Sequence, residues 1–130
     1  VGGISGENKN VNAGAVTACL NVGSLNKSAI NLGGICGKDE ISANIRIVDT
    51  CYWLTGTARK NQAVSNEIAI GNKNTTSIMG LTFEVSDLAA QTIRSTAIYT
   101  DKLSSRLSAD KYRFTLDSSV SSWPIPVPIP

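Results

Sequence analysis

Apolar and polar residues alternate along several stretches of this chain. Val16, Ala18, Leu20 and Val22 fall on one face and Thr17, Cys19 and Asn21 on the other, the period-two mark of a half-buried strand. Gly23-Ser24 ends that run, Ala29 to Leu32 gives a second short strand, and the two suggest an antiparallel hairpin. In Ile41 to Val48, Ile41, Ala43, Ile45 and Ile47 share a face opposite Ser42, Asn44 and Arg46. Cys51 to Thr57 is aromatic and β-branched and continues the sheet. A polar turn over Thr57 to Gln62 leads to a strand from about Val64 to Ile70. Gly71-Asn72-Lys73-Asn74 then signals another turn before Ile78 to Val85 alternates again.

At Ser86-Asp87 the period changes. Either residue can cap a helix, and Leu88, Ala89, Ile93, Ala97, Leu103 and Leu107 recur at helical spacing, which predicts one long helix over 87–108. Thr92, Ser95, Thr96, Thr100, Ser104 and Ser105 are poor helix formers within it. Residues 1–14, rich in glycine and asparagine, read as a flexible arm or an N-terminal edge hairpin. Tyr112, Phe114 and Leu116 alternate with Arg113 and Thr115, which reads as a last strand or else as an extended segment packed over the sheet. The Pro-rich tail lacks a donor at every second position, so it is extended or at most an edge strand. The expectation is one α+β domain over 1–130. It has a mainly antiparallel sheet of five to six strands within 15–85, the helix at 87–108, and an extended C-terminal segment over 111–130.

Composition narrows the function more than the fold. At 130 residues, 42% hydrophobic and 17% charged, the chain can bury one core and is too apolar for a disordered polyelectrolyte. A net charge of +2 excludes a densely basic nucleic-acid binder but permits a local phosphate-contacting patch. No histidine is present, so the common zinc sites, the Ser-His-Asp triad and the Cys-His dyad cannot be built. No catalytic residue, metal or cofactor is expected. No apolar run approaches the roughly 18 to 20 residues needed to span a bilayer, so no membrane partner is expected either.

Three cysteines cannot all pair within one chain. Cys36, set among glycines and beside Lys38, reads as the exposed thiol and the candidate for an inter-subunit bridge. Arg59, Lys60 and Asn61, with Arg46 and Lys73, are the candidates for a phosphate-contacting face, with Tyr52 or Trp53 available to stack on a base; the other reading is a solvated turn. Asp39-Glu40, Glu67, Glu84 and Asp87 lack the spacing of a calcium loop and read as solvated acids. Leu88, Ile93, Leu103 and Leu107 on the helix, and Trp123, Ile125 and Val127 in the tail, are costly to leave in water and are the candidates for dimer or assembly contacts.

This order of arm, sheet and late helix resembles the coat proteins of the small single-stranded RNA bacteriophages. Ile41 to Val48, Val64 to Ile70 and Ile78 to Val85 would be sheet, and 87–108 the clasping helix. The resemblance implies a non-enzymatic homodimer that assembles into a virion shell and holds RNA, with no small-molecule substrate. A second stretch, Cys19 to Leu25, Ile30 to Gly33 and Ile45-Arg46-Ile47 before Cys51, is similar to the first half of chaperone-assembled pilus subunits, which implies a Cys19–Cys51 disulfide and a cell-surface location. The other alternative is a secreted β-sandwich binding module or toxin that exposes Tyr52-Trp53-Leu54.

Overall fold

In the computed structural model the described residues are 4–8, 16–27, 32–39, 48–60, 70–73, 82–107 and 110–130. Eight short strands come in three successive sets. The first holds β1 (Ser5–Asn8), β2 (Val16–Asn21) and β3 (Leu25–Lys27), and the second β4 (Cys36–Asp39), β5 (Val48–Leu54) and β6 (Ala58–Lys60). The third holds β7 (Ile70–Lys73) and β8 (Thr82–Leu88). None of these eight pairs with its neighbour in sequence. Each pairs in parallel with its counterpart one set away, in sheets ordered β1-β4-β7, β2-β5-β8 and β3-β6. Partners lie 31 to 34 positions apart: Ser5 opposite Cys36 opposite Ile70, Val16 opposite Val48 opposite Thr82, Leu25 opposite Ala58. The chain winds as a parallel β-solenoid, each coil laying its strands on those of the coil before.

The interior of the coil is closed by side chains from all three sheets. Val48, Cys51, Trp53, Cys36 and Ala58 are buried there with Leu32 and Ile35, and Val16, Cys19, Leu25 and Val85 pack against them. Asn21 is buried too. Its Nδ2 donates to the Gly34 carbonyl at 3.0 Å and its Oδ1 accepts from Gly23 N–H at 2.9 Å, so neither end of the amide is left unpaired. The bend from β5 into β6 is a tight turn in which Thr57 N–H donates to the Leu54 carbonyl, and Gly56 supplies the φ of 85° that such a turn requires.

The middle strand of each coil carries a corner. Ala18, Thr50 and Glu84 occupy equivalent register positions and all have left-handed backbone, with φ of 53°, 53° and 52°. Non-glycine residues seldom adopt this conformation. Its effect is to break the alternation of faces. Val16 and Cys19 join the interior, whereas Ala18 and Leu20 join a second cluster on the outside with Tyr52, Leu88, Ile98, Tyr99, Leu103, Leu107 and Phe114.

That outer cluster is covered by the rest of the chain. After β8 come two short helices, α1 (Ala90–Ile93) and α2 (Thr96–Ile98), a π-helical turn at Tyr99–Leu103 and a 3-10 turn at Ser104–Arg106. This strap runs back along the flank. Lys102 binds Glu84 of the third coil at 2.9 Å, and Arg106 reaches Asp49 at 3.4 Å and Thr50 Oγ1 at 3.2 Å in the second. A hairpin of β9 (Tyr112–Thr115) and β10 (Ile125–Pro128) follows, antiparallel, with Val127 opposite Arg113.

Several expectations are corrected. The sheet is not mainly antiparallel; antiparallel pairing is confined to β9 and β10 among the described residues. Among the described residues β2 pairs in parallel with β5, most of its expected hairpin partner Ala29 to Leu32 lying outside them, and β1, expected in an arm or edge hairpin, pairs in parallel with β4. Thr57 to Gln62 and Gly71 to Asn74 were expected as turns, yet β6 and β7 begin within or just before them. Where five to six strands were expected within 15–85, seven are described, β2 to β8, of ten in all. Ser86 and Asp87 cap no helix, since both lie in β8.

The long helix over 87–108 is instead four short pieces. Ser95 Oγ donates to the Thr92 carbonyl at 2.6 Å and Ser104 Oγ to the Tyr99 carbonyl at 2.7 Å, so hydroxyls compete for the acceptors a continuous helix would use. Most of Ile41 to Val48, Val64 to Ile70 and the first half of Ile78 to Val85 lie outside the described residues. The last strand at Tyr112 and the tail as an edge strand are both present.

Candidate functional site

An open groove of about 650 Å³ lies between the strap and the C-terminal hairpin. Tyr99 and Thr100 come from the π-helical turn, Tyr112, Arg113 and Thr115 from β9, and Ile129 from the end of the tail. The local sequence dictates this placement. Residues 99–103 make a wide turn instead of continuing α2, a distortion that recurs at functional sites. Ser104 then joins the two walls: its hydroxyl donates to the Tyr99 carbonyl and accepts the Phe114 N–H at 2.8 Å. Phe114 is buried beneath, in the outer cluster, so the groove floor is tied to the coil.

The chemistry of the walls is simple. Tyr112 is 49% exposed and Arg113 is exposed, while Tyr99 is half-buried. Two tyrosines, threonines, serines and one arginine are among the lining residues, and none of the lining residues is acidic. Such a surface offers ring faces for stacking and donors for hydroxyl or anionic groups. It offers no nucleophile paired with a base.

The tail is held by its own contacts. The Arg94 guanidinium stacks over the Trp123 ring, 4.2 Å from its centroid, and Arg94 Nε donates to the Ser122 carbonyl at 2.8 Å. Ile129 N–H donates to the Lys111 carbonyl at 2.8 Å. Period-two alternation therefore turns the N–H groups of Ile125, Val127 and Ile129 toward β9, and the proline nitrogens outward. The outer edge of β10 has no donor to offer another strand.

Compared with protein-family models, with curated protein sequences and with solved structures, the chain shows no match. The reading of the site rests on its own residues. Among the described residues no group of three or more His, Cys, Asp or Glu side chains is placed to hold a metal ion, and no helix is long and apolar enough to cross a membrane.

The residues singled out from sequence fall in scattered places. Arg46 and Asn61 lie outside the described residues. Arg59 and Lys60 are on β6 and Lys73 is on β7, in different sheets. Ile93 and Leu103 are fully buried within the chain, and Leu88 and Leu107 pack against the outer cluster. Trp123, Ile125 and Val127 are half-buried in the hairpin unit. Cys36, expected to be the exposed thiol, is wholly buried in the interior, and Tyr52 and Trp53, an exposed pair in the binding-module alternative, are 2% and 4% exposed. Sequence reasoning missed Tyr99, Tyr112 and Arg113 as a group. Only Tyr112-Arg113, at the start of an alternating segment with an outward tyrosine, hinted at them.

Proposed function

We propose that this chain is a non-catalytic structural module that binds carbohydrate: a parallel β-solenoid gives a stiff support, and the groove on its flank takes an oligosaccharide. The observation that carries the reading is the pairing of Tyr99 and Tyr112 with Arg113 in one open groove that has no acidic lining residue. Tyrosine rings provide flat apolar faces for the C–H faces of sugar rings, and their hydroxyls, with those of Thr100 and Thr115, match sugar hydroxyls. Arg113 favours an acidic sugar. Rigid elements on both sides keep the ordering cost of binding low.

The coat-subunit expectation drew on an antiparallel sheet and a clasping helix, and the parallel coil leaves it without that support. Its non-catalytic, structural part is retained in this proposal. The test is calorimetric titration of the intact chain against neutral and acidic oligosaccharides and against single-stranded RNA. Saturable glycan binding is expected, weakened about tenfold by Tyr112→Ala or Arg113→Ala with the far-UV circular dichroism unchanged. Failure to bind any glycan, equal affinity in both variants, or tighter binding to RNA than to any glycan overturns it.

A further inference from the structure

Cys19 and Cys51 lie on adjacent coils, outside the groove. Cys19 of β2 and Cys51 of β5 are register partners, and both contribute to the interior cluster. Neighbouring strands stand about 4.8 Å apart. That falls inside the roughly 4.4 to 6.8 Å that separates the Cα atoms of a disulfide. The Cys51 thiol lies 3.3 Å from the Asp49 carbonyl and also reaches across to the Val16 carbonyl of β2, at 3.4 Å, toward the strand that carries Cys19. Both thiols are reduced, Cys19 is half-buried with some contact to solvent, and Cys51 is wholly enclosed. Cys36 stands apart in a different sheet, opposite Ser5 and Ile70.

We propose that Cys19 and Cys51 form a redox modification site, closed to a cross-coil disulfide by small-molecule disulfides of the glutathione class. The two residues divide the work. A hydrogen bond from the Cys51 thiol lowers the Cys19 pKa to about 7 against the opposing effect of burial, so a large share of Cys19 is thiolate near neutrality. Cys51 is pushed well above its ordinary value because its proton is committed to Cys19 and because it is buried, so it stays protonated until Cys19 has reacted. Cys19 is thus the attacking thiol and Cys51 the resolving one.

The chemistry balances in two exchanges. The Cys19 thiolate attacks one sulfur of the small disulfide, forming a mixed disulfide and expelling one small thiolate. Cys51 then loses its proton to a small thiolate and attacks Cys19 Sγ, forming the protein disulfide and expelling the second small thiolate, which takes a proton from solvent. The protein loses two electrons and two protons, and one small disulfide becomes two small thiols. The bond ties one coil to the next and restricts the unfolded chain.

The test uses the intact chain incubated with oxidised glutathione, quenched in acid, denatured and alkylated. Expected is loss of two hydrogens from the intact mass, one alkylated thiol at Cys36, and a peptide that links Cys19 to Cys51. The rate of closure should rise with pH about a midpoint near 7, and thermal melting should move up on oxidation and back on reduction. Cys19→Ser should abolish both the closure and the oxidant-dependent melting shift. Three alkylatable thiols after incubation, a glutathione adduct on Cys19 that never resolves, or a bridge that includes Cys36 overturns the proposal.

Discussion

Trp53 packs against Gly34 so closely that a Cβ at position 34 would stand 2.5 Å from the indole Cδ2 and 2.7 to 2.8 Å from Cγ and Cε2. Gly34 cannot move away, because its carbonyl accepts the Asn21 side-chain hydrogen bond from the coil before, and Trp53 is enclosed by the interior cluster. Gly34→Ala should therefore destabilise the fold by about 2 kcal/mol. Urea denaturation followed by tryptophan fluorescence reads this as a lower midpoint at unchanged slope. An unmoved midpoint means that the contact is not tight.

The two ion pairs of the strap should differ in weight. Asp49 has a side chain only 9% exposed, whereas Glu84 is 54% exposed. Arg106→Ala leaves an enclosed carboxylate without that cation and should cost about 1 to 2 kcal/mol. Lys102→Ala removes a solvated pair and should change stability by less than about 0.5 kcal/mol. Thermal melts of the two variants side by side check the order, and a larger loss for Lys102→Ala would reverse the assignment.

Tyr52 and Glu84 set opposite pH limits. The Tyr52 hydroxyl is buried without a hydrogen bond among the described residues. Burial and the nearby Glu84 carboxylate push its pKa up to about 12, so its contribution is complete below the ordinary value near 10 and is lost as pH rises toward 12. Tyr52→Phe should remove that alkaline loss and be neutral or stabilising by up to about 1 kcal/mol at pH 7. Glu84 is held below the ordinary 4.5 by the hydrogen bond and charge of Lys102, so its small contribution is present above that value and fades as pH falls through its lowered pKa. Glu84→Gln should flatten the acid limb and leave the alkaline limb in place. Melting temperature recorded from pH 3 to 11 separates the two.

The prolines of the tail should govern self-association. Replacing Pro126 and Pro128 with threonine restores two N–H groups on the outward edge of β10. The double variant should sediment with concentration-dependent association at concentrations where the parent chain shows less. Equal behaviour of the two chains would mean that the edge is closed by something other than its missing donors.

Local patterns located many elements but not their pairing. The alternation around β2 and β8 and in the Tyr112 segment marked real strands, and the proline spacing marked β10 as an edge. Pairing in a solenoid joins residues more than 30 positions apart, and only internal repetition announces it. The sign was present in Ile4-Ser5-Gly6, Ile35-Cys36-Gly37 and Ile70-Gly71, where Gly6, Gly37 and Gly71 take equivalent places in their coils. Three short and imperfect copies are easily taken for separate turns. The left-handed corners at Ala18, Thr50 and Glu84 hid the faces as well, because they place Val16 and Ala18 in different clusters despite their even spacing. The groove escaped notice because its walls, Tyr99 and Tyr112, meet only when the strap folds back beside the hairpin.

The strap also acts as a ruler. Lys102 and Arg106 are four residues apart, across the junction of the π-helical and 3-10 turns, and they touch successive coils, whose strands are spaced about 4.8 Å. A longer stack would outgrow its clasp unless the strap between Ala90 and Arg106 lengthened in step, so gain or loss of a coil in this architecture changes the strap as well as the stack.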